Sequence, residues 1–140
     1  MPRDRYQHSL DELRSDVLSM GETVTERLDE SLEALERRDD ALARAVIDGD
    51  AQVNETYLEL EEQCVDLFAL QQPVAGDLRF VTASFKIITD LERVADLAVN
   101  LANYALAARQ TGTPDLESGA LGTAAQSLVE RSLTADETAE

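Results

Sequence analysis

A single cysteine, Cys64, makes an intrachain disulfide impossible, and nothing else in the chain points to secretion. Tryptophan is absent and aromatic residues amount to only 4%. With Leu, Ala, Glu, Asp and Arg dominant, this is the composition of long packed helices and not of a β-sandwich or barrel. Lys86 is the only lysine, and 12 bases in all face 29 acids, for a formal net charge of -17. A phosphate backbone must be met by clustered cations, so nucleic-acid binding is not expected. No uninterrupted apolar stretch approaches a membrane span, and the opening MPRDRYQHSLDELRSD has no apolar signal region. A cytoplasmic protein without membrane insertion is the expectation. His8 is the only histidine, at the start of an amphipathic stretch, where a solvated side chain is the simple reading. No nucleophile with a positioned base, no glycine-rich phosphate loop and no zinc-ligand spacing is visible, so no enzyme is expected.

At 140 residues the chain can bury one modest core. Leu10, Leu13, Val17, Met20, Val24, Leu28 and Leu35 recur in steps of mostly three and four, which predicts one long helix from about Tyr6 to Arg37. Asp39 or Asp40 supplies an N-cap for a second helix, whose seam is Leu42, Val46, Gly49, Val53, Tyr57, Leu60, Cys64 and Leu67, running to about Leu70. Pro73 and Gly76 interrupt the pattern. Asp77 then stands as the cap of a third helix with the seam Val81, Ser84, Ile88, Leu91, Ala95, Ala98, Ala102 and Ala105. Short connections force neighbours antiparallel, so the expected fold is all-α, an up-down-up three-helix bundle over residues 1–109. A turn-rich linker follows at 110–119, and Leu121, Ala124 and Leu128 mark a short additional helix within 120–140.

The acidity admits two readings: a solvated surface adapted to high salt, or an anionic face for a basic partner. One segment escapes it. From Gln71 to Gln110 the acids Asp77, Asp90, Glu92 and Asp96 are balanced by Arg79, Lys86, Arg93 and Arg109, so the acids kept there need a reason. Thr89, Glu92, Asp96, Asn100 and Asn103 form a polar row one position after the seam of the third helix, and Asp50 and Asn54 stand in the same relation to the seam of the second. If the two rows face each other, oxygen-bearing side chains converge. Such groups repel unless a cation sits between them, and all-oxygen sites suit Mg, Mn, Ca or iron better than zinc. Glu-x-x-x-Asp also occurs at Glu12/Asp16, Glu36/Asp40 and Glu62/Asp66, so the spacing alone is not specific. Ion pairs with Arg93 and Arg79 are the structural alternative for Glu92 and Asp96.

ALQQPVAGDLRF followed by KIITDLERVADLAVNLA resembles the central signature of the PhoU family of phosphate-uptake regulators, VIDGDAQVNETYLELEEQC resembles the helix before it, and MGETVTERLDESLEAL resembles the family's first helix. The resemblance covers roughly residues 7 to 108. It implies one complete three-helix repeat followed by the start of a second, in either a fragment of a two-repeat protein or a shortened one. It also implies a metal site on one face of the bundle, taking a divalent or ferric ion such as iron, manganese, magnesium or zinc. The positions matching the family's motif are Glu92 and Asp96, with Asp50 and Asn54 as their companions on the second helix. Asn54 departs from the acidic pattern. Asn100 is added from the polar row and not from the family.

The function so implied is that of a cytoplasmic regulator that represses phosphate uptake. It would act on the ATPase subunit of a phosphate ABC transporter, on its sensor histidine kinase or on both, and lie at the membrane only through the transporter. Missing helices would expose apolar surface, so a homo-oligomer is expected. The alternatives are a helical scaffold or oligomerisation module whose carboxylate row is merely ion-paired, or a regulator of another transport system.

Overall fold

The computed structural model describes residues 2–69 and 75–111, with the side chains of 4–69 and 75–108. Three helices account for them, α1 (Pro2–Arg37), α2 (Asp40–Ala69) and α3 (Ala75–Thr111). Each packs on the other two. At 1.5 Å per residue they are roughly 45 to 55 Å long. Among the described residues no helix is long and apolar enough to cross a membrane. The additional helix foreseen within 120–140, and the linker beyond Thr111, lie outside the described residues.

The chain direction is legible from two contacts between α1 and α2. Gln63 donates a hydrogen bond to Asp16 at 3.1 Å, while Gly49, earlier on α2, lies against Arg27, later on α1. The two helices are therefore antiparallel. Arg14 of α1 stands over the Phe80 ring near the start of α3, 4.8 Å from its centroid, which sets α1 and α3 parallel. The result is up-down-up, with a single core along the length of the bundle.

The core consists of the expected seams. All seven apolar positions read on α1 are buried, as are all eight on α3 from Val81 to Ala105, including Ser84. On α2, Val46, Val53, Leu60, Cys64 and Leu67 are buried, while Leu42 and Tyr57 pack partly buried against them. Flanking positions Phe80, Ile87, Val94 and Leu101 widen the buried stripe of α3. Cys64 is a core residue and His8 is exposed.

The turn between α1 and α2 takes two residues. Arg38 adopts φ 56°, and the Asp39 amide donates back to the Ala34 carbonyl at 3.0 Å, which closes a Schellman motif. Asp39 also caps α2: its Oδ1 accepts from the Leu42 amide at 3.1 Å, and its carbonyl accepts the first helical bond, from Ala43. The helix starts differ from expectation elsewhere. α1 begins at Pro2, ahead of Tyr6, because proline is well suited to a first helical turn and Tyr6 is itself part of the core. α3 begins at Ala75, so Asp77 lies inside its first turn, where its charge favours the helix dipole, and is not the cap.

Candidate metal centre

Asp50 sits in the first half of α2, one residue after Gly49 and three before the buried Val53. Glu92 and Asp96 lie one turn apart on α3, each directly following a buried seam residue, Leu91 and Ala95. Seam neighbours of this kind stand at the edge of the helix interface, so the packing of α2 on α3 brings the two rows together. Asp50 and Glu92 are half-buried and Asp96 is exposed.

The three carboxylates act on one another. Partial burial, and then the charge of Asp96, push the Asp50 carboxyl above its ordinary value, against the opposing hydrogen bond that Asn54 donates. Burial raises Glu92 as well, and so do the charge of Asp96, a hydrogen bond shared with that carboxyl, and the charge of Asp50; Arg93 opposes them weakly. Like charges from two helices are thus held close enough to disfavour full ionisation. One oxygen, Oδ1 of Asp50, is buried with no hydrogen-bond partner.

Asn54 joins the group through its amide, Nδ2 donating to Asp50 Oδ2 at 3.5 Å. To act as a ligand it would have to turn its carbonyl oxygen inward. Asn100 is exposed one turn beyond Asp96, and no hydrogen bond among the described residues joins it to the carboxylates. Thr89 is diverted, donating to the Phe85 carbonyl at 3.0 Å. The structure thus brings Asp50, Asn54, Glu92 and Asp96 together, with Asn100 one turn further along the row of α3.

Arginine does not consume these acids. Arg93 pairs with Asp90 at 3.8 Å, and Arg79 lies about 20 Å away along α3. A third element reaches the site from α1. The Arg27 guanidinium packs against Gly49, next to Asp50, while its Nη1 pairs with Glu30 at 3.3 Å. The sequence carried no signal for this contact, which depends on the relative rise of α1 and α2.

In chemistry the donor set fits a hard cation: carboxylate and amide oxygens, one of them orphaned, with net negative charge, while the nearby Arg27 and Arg93 pair with Glu30 and Asp90. In the arrangement shown, no three His, Cys, Asp or Glu side chains among the described residues stand close enough to hold a metal ion. Rotation of the carboxylates on their fixed helices is what ligation would require.

The PhoU domain matches residues 17–105, and these span all the residues just described. The chain belongs to the PhoU family. Over 102 residues it is 39% identical to the phosphate-specific transport system accessory protein PhoU of Edwardsiella tarda, covering 73% of this chain and 42% of that protein. The crystal structure of PhoU from Pseudomonas aeruginosa superposes with a TM-score of 0.86 at 32% identity, over 93% of this chain and 64% of that one. That of the phosphate transport system regulatory protein PhoU from Streptococcus pneumoniae gives 0.81 at 28% identity, over 93% and 62%. The chain therefore spans from under half to under two thirds of the length of the relatives it matches.

Proposed function

We propose that this protein is a cytoplasmic, metal-binding accessory regulator that restrains phosphate uptake. It would act on the ATPase subunit of a phosphate ABC transporter, on its sensor histidine kinase or on both, and have no catalytic activity of its own. Support for the phosphate system comes from the family, whose curated relatives are named as accessory proteins of phosphate-specific transport. Support for metal comes from the site. Asp50 on α2 and Glu92 and Asp96 on α3 repel one another and leave one buried oxygen unsatisfied, a local electrostatic deficit that a cation would relieve.

In this reading Asp50, Glu92 and Asp96 hold the ion, with Asn54 contributing its carbonyl after a flip and Asn100, one turn beyond Asp96, as a further oxygen donor. A bound ion would supply fixed positive charge and tie α2 to α3. The bundle's own residues set the spacing of the donors, and the carboxylate face and its rim carry partner contact. That no three His, Cys, Asp or Glu side chains among the described residues stand close enough to hold an ion favours a second reading, a helical scaffold whose acids serve only solvation.

Elemental analysis of protein purified without chelator in high salt separates the two, run beside the Glu92→Gln, Asp96→Asn double variant. Stoichiometric iron, manganese or another ion that is lost in the variant supports the regulator. No metal in either protein leaves the scaffold. For the partner, a pull-down in which the transporter's ATPase subunit never associates, across salt and phosphate levels, would remove the phosphate assignment.

A further inference from the structure

The outer side of α2 carries an apolar stripe that the bundle does not cover. Leu58, Val65 and Phe68 are 61%, 54% and 41% exposed. They fall at i, i+7 and i+10 along about 15 Å of helix: Leu58 and Val65 lie one above the other with Ala51 and Ala69 exposed beside them, and Phe68 stands about 60° further round, towards the buried seam. Single exposed apolar residues are ordinary, but three large ones within about 80° of one helix face are a surface that favours contact. The buried seam of the same helix, from Val46 to Leu67, already accounts for its packing within the bundle.

Charge selects the occupant. Residues 45–69 contain seven acids and no base. Exposed Glu55, Glu62 and Asp66 run along the flank of the stripe away from Phe68, and half-buried Glu61 lies between Val65 and Phe68. A second copy docking here would set acid against acid in a chain of net charge -17. The segment 112–140 is no better suited, with six acids against Arg131 alone. We infer that the outer face of α2 is a docking surface for a cationic amphipathic helix of a partner protein, whose apolar residues cover Leu58, Val65 and Phe68 and whose Lys or Arg residues meet the flanking acids. This surface begins at Leu58, one turn beyond Asn54 of the carboxylate cluster, and the inference does not depend on metal.

The test is binding of three synthetic peptides of about 18 residues, on the order of five helical turns. One is an amphipathic Lys/Leu helix, one a Glu/Leu helix with the same apolar face, and one a Lys/Ser helix with the same charge and no apolar face. Fluorescence anisotropy against the intact chain should show the Lys/Leu peptide bound at least about tenfold tighter than either control. The triple variant Leu58→Ser, Val65→Ser, Phe68→Ser should lose that preference, and so should Glu55→Gln, Glu62→Gln, Asp66→Asn. All six positions are exposed, and unchanged helical circular dichroism confirms each fold. Equal binding of the Lys/Ser peptide, equal binding of the Glu/Leu peptide, or no binding at all overturns the inference. So does self-association in sedimentation equilibrium that the serine variant abolishes, which would make a second copy the occupant.

Discussion

Replacing Asp50 by Asn should stabilise the metal-free protein. In the wild type, Asp50 Oδ1 is buried without a hydrogen-bond partner and the carboxylate is repelled by Asp96. Leaving a buried acceptor unsatisfied costs about 1–3 kcal/mol, and because Asp50 is only partly buried the lower end applies. Asparagine removes the charge, keeps an oxygen to accept from Asn54, and brings an amide that can donate to Asp96 or Glu92. Helix propensities of the two residues are similar, so the backbone contributes little. The expected gain is about 1 kcal/mol, read from urea unfolding followed by helical circular dichroism in EDTA. With Mn2+ the order reverses. An ion at about 100 times its Kd adds roughly 2.7 kcal/mol to the wild type, and the variant should lose most of that increment. A loss of 1 kcal/mol or more for Asp50→Asn in EDTA would refute the reasoning, since it would show that the carboxylate is already satisfied and serves the fold directly.

The same cluster fixes the sign of a pH effect. Asp50 and Glu92 have carboxyls raised in the fold, so the native state holds more protons than the unfolded chain as these groups titrate, and their contribution to stability falls as pH rises. In EDTA the wild type should therefore be less stable than an Asp50→Asn, Glu92→Gln variant near pH 7, with the gap narrowing as the pH falls towards the ordinary carboxylate range; a gap that widens on acidification would contradict it. Gly49→Ala should be stabilising by about 0.5 kcal/mol in urea unfolding, because alanine gains up to ~1 kcal/mol in a helix interior and loses part of it in displacing Arg27. The new Cβ would stand 2.9 Å from Arg27 Nε, the far end of a flexible side chain, so a loss above about 1 kcal/mol would show that guanidinium to be held in place. Asn54→Asp adds a fourth negative charge one turn from Asp50 and should lower metal-free stability by about 0.2–0.5 kcal/mol while enlarging the stabilisation by Mn2+; calorimetric titration showing no tighter binding would count against Asn54 as a member of the site.

The fold was legible to a high degree because its core is written in steps of three and four, and every seam residue read on α1 and α3 is buried. Periodicity carries less information at helix ends. Asp77 has the residue type of a cap, yet the helix starts two residues earlier, and Arg38 in the left-handed conformation stands where glycine is the usual signal. For the site, the phase of the polar rows relative to the seams was enough to place Asp50, Asn54, Glu92 and Asp96 at one interface. Asn100 continues the row of Glu92 and Asp96 one turn further along α3. That phase could not show Arg27, whose approach to Gly49 depends on the register of α1 against α2.

That register has a physical cause in the size of the seam residues. Leu60 and Leu67 on α2 and Phe80, Val81, Ile87, Ile88 and Leu91 on α3 fill the half of the core near the α2–α3 connection, whereas from Ala95 onward α3 buries Ala98, Ala102 and Ala105, with Leu101 as the large buried side chain beside them. Alanine seams let helix axes approach closely, and Gly49 does the same for α1 against α2. Asp50, Glu92 and Asp96 lie where the bulky half gives way to the small one. There the backbone spacing is set by buried apolar packing, which the repulsion among three acids is too weak to undo, since a seam of fully buried Leu, Ile and Val contributes about 1.5–3 kcal/mol per side chain. Helices held in this way can present carboxylates that are individually unfavourable, and their side chains can rotate without disturbing the core. A cation arriving at that point would therefore meet a scaffold that is already formed, and its binding energy would go into drawing side chains together and not into folding the bundle.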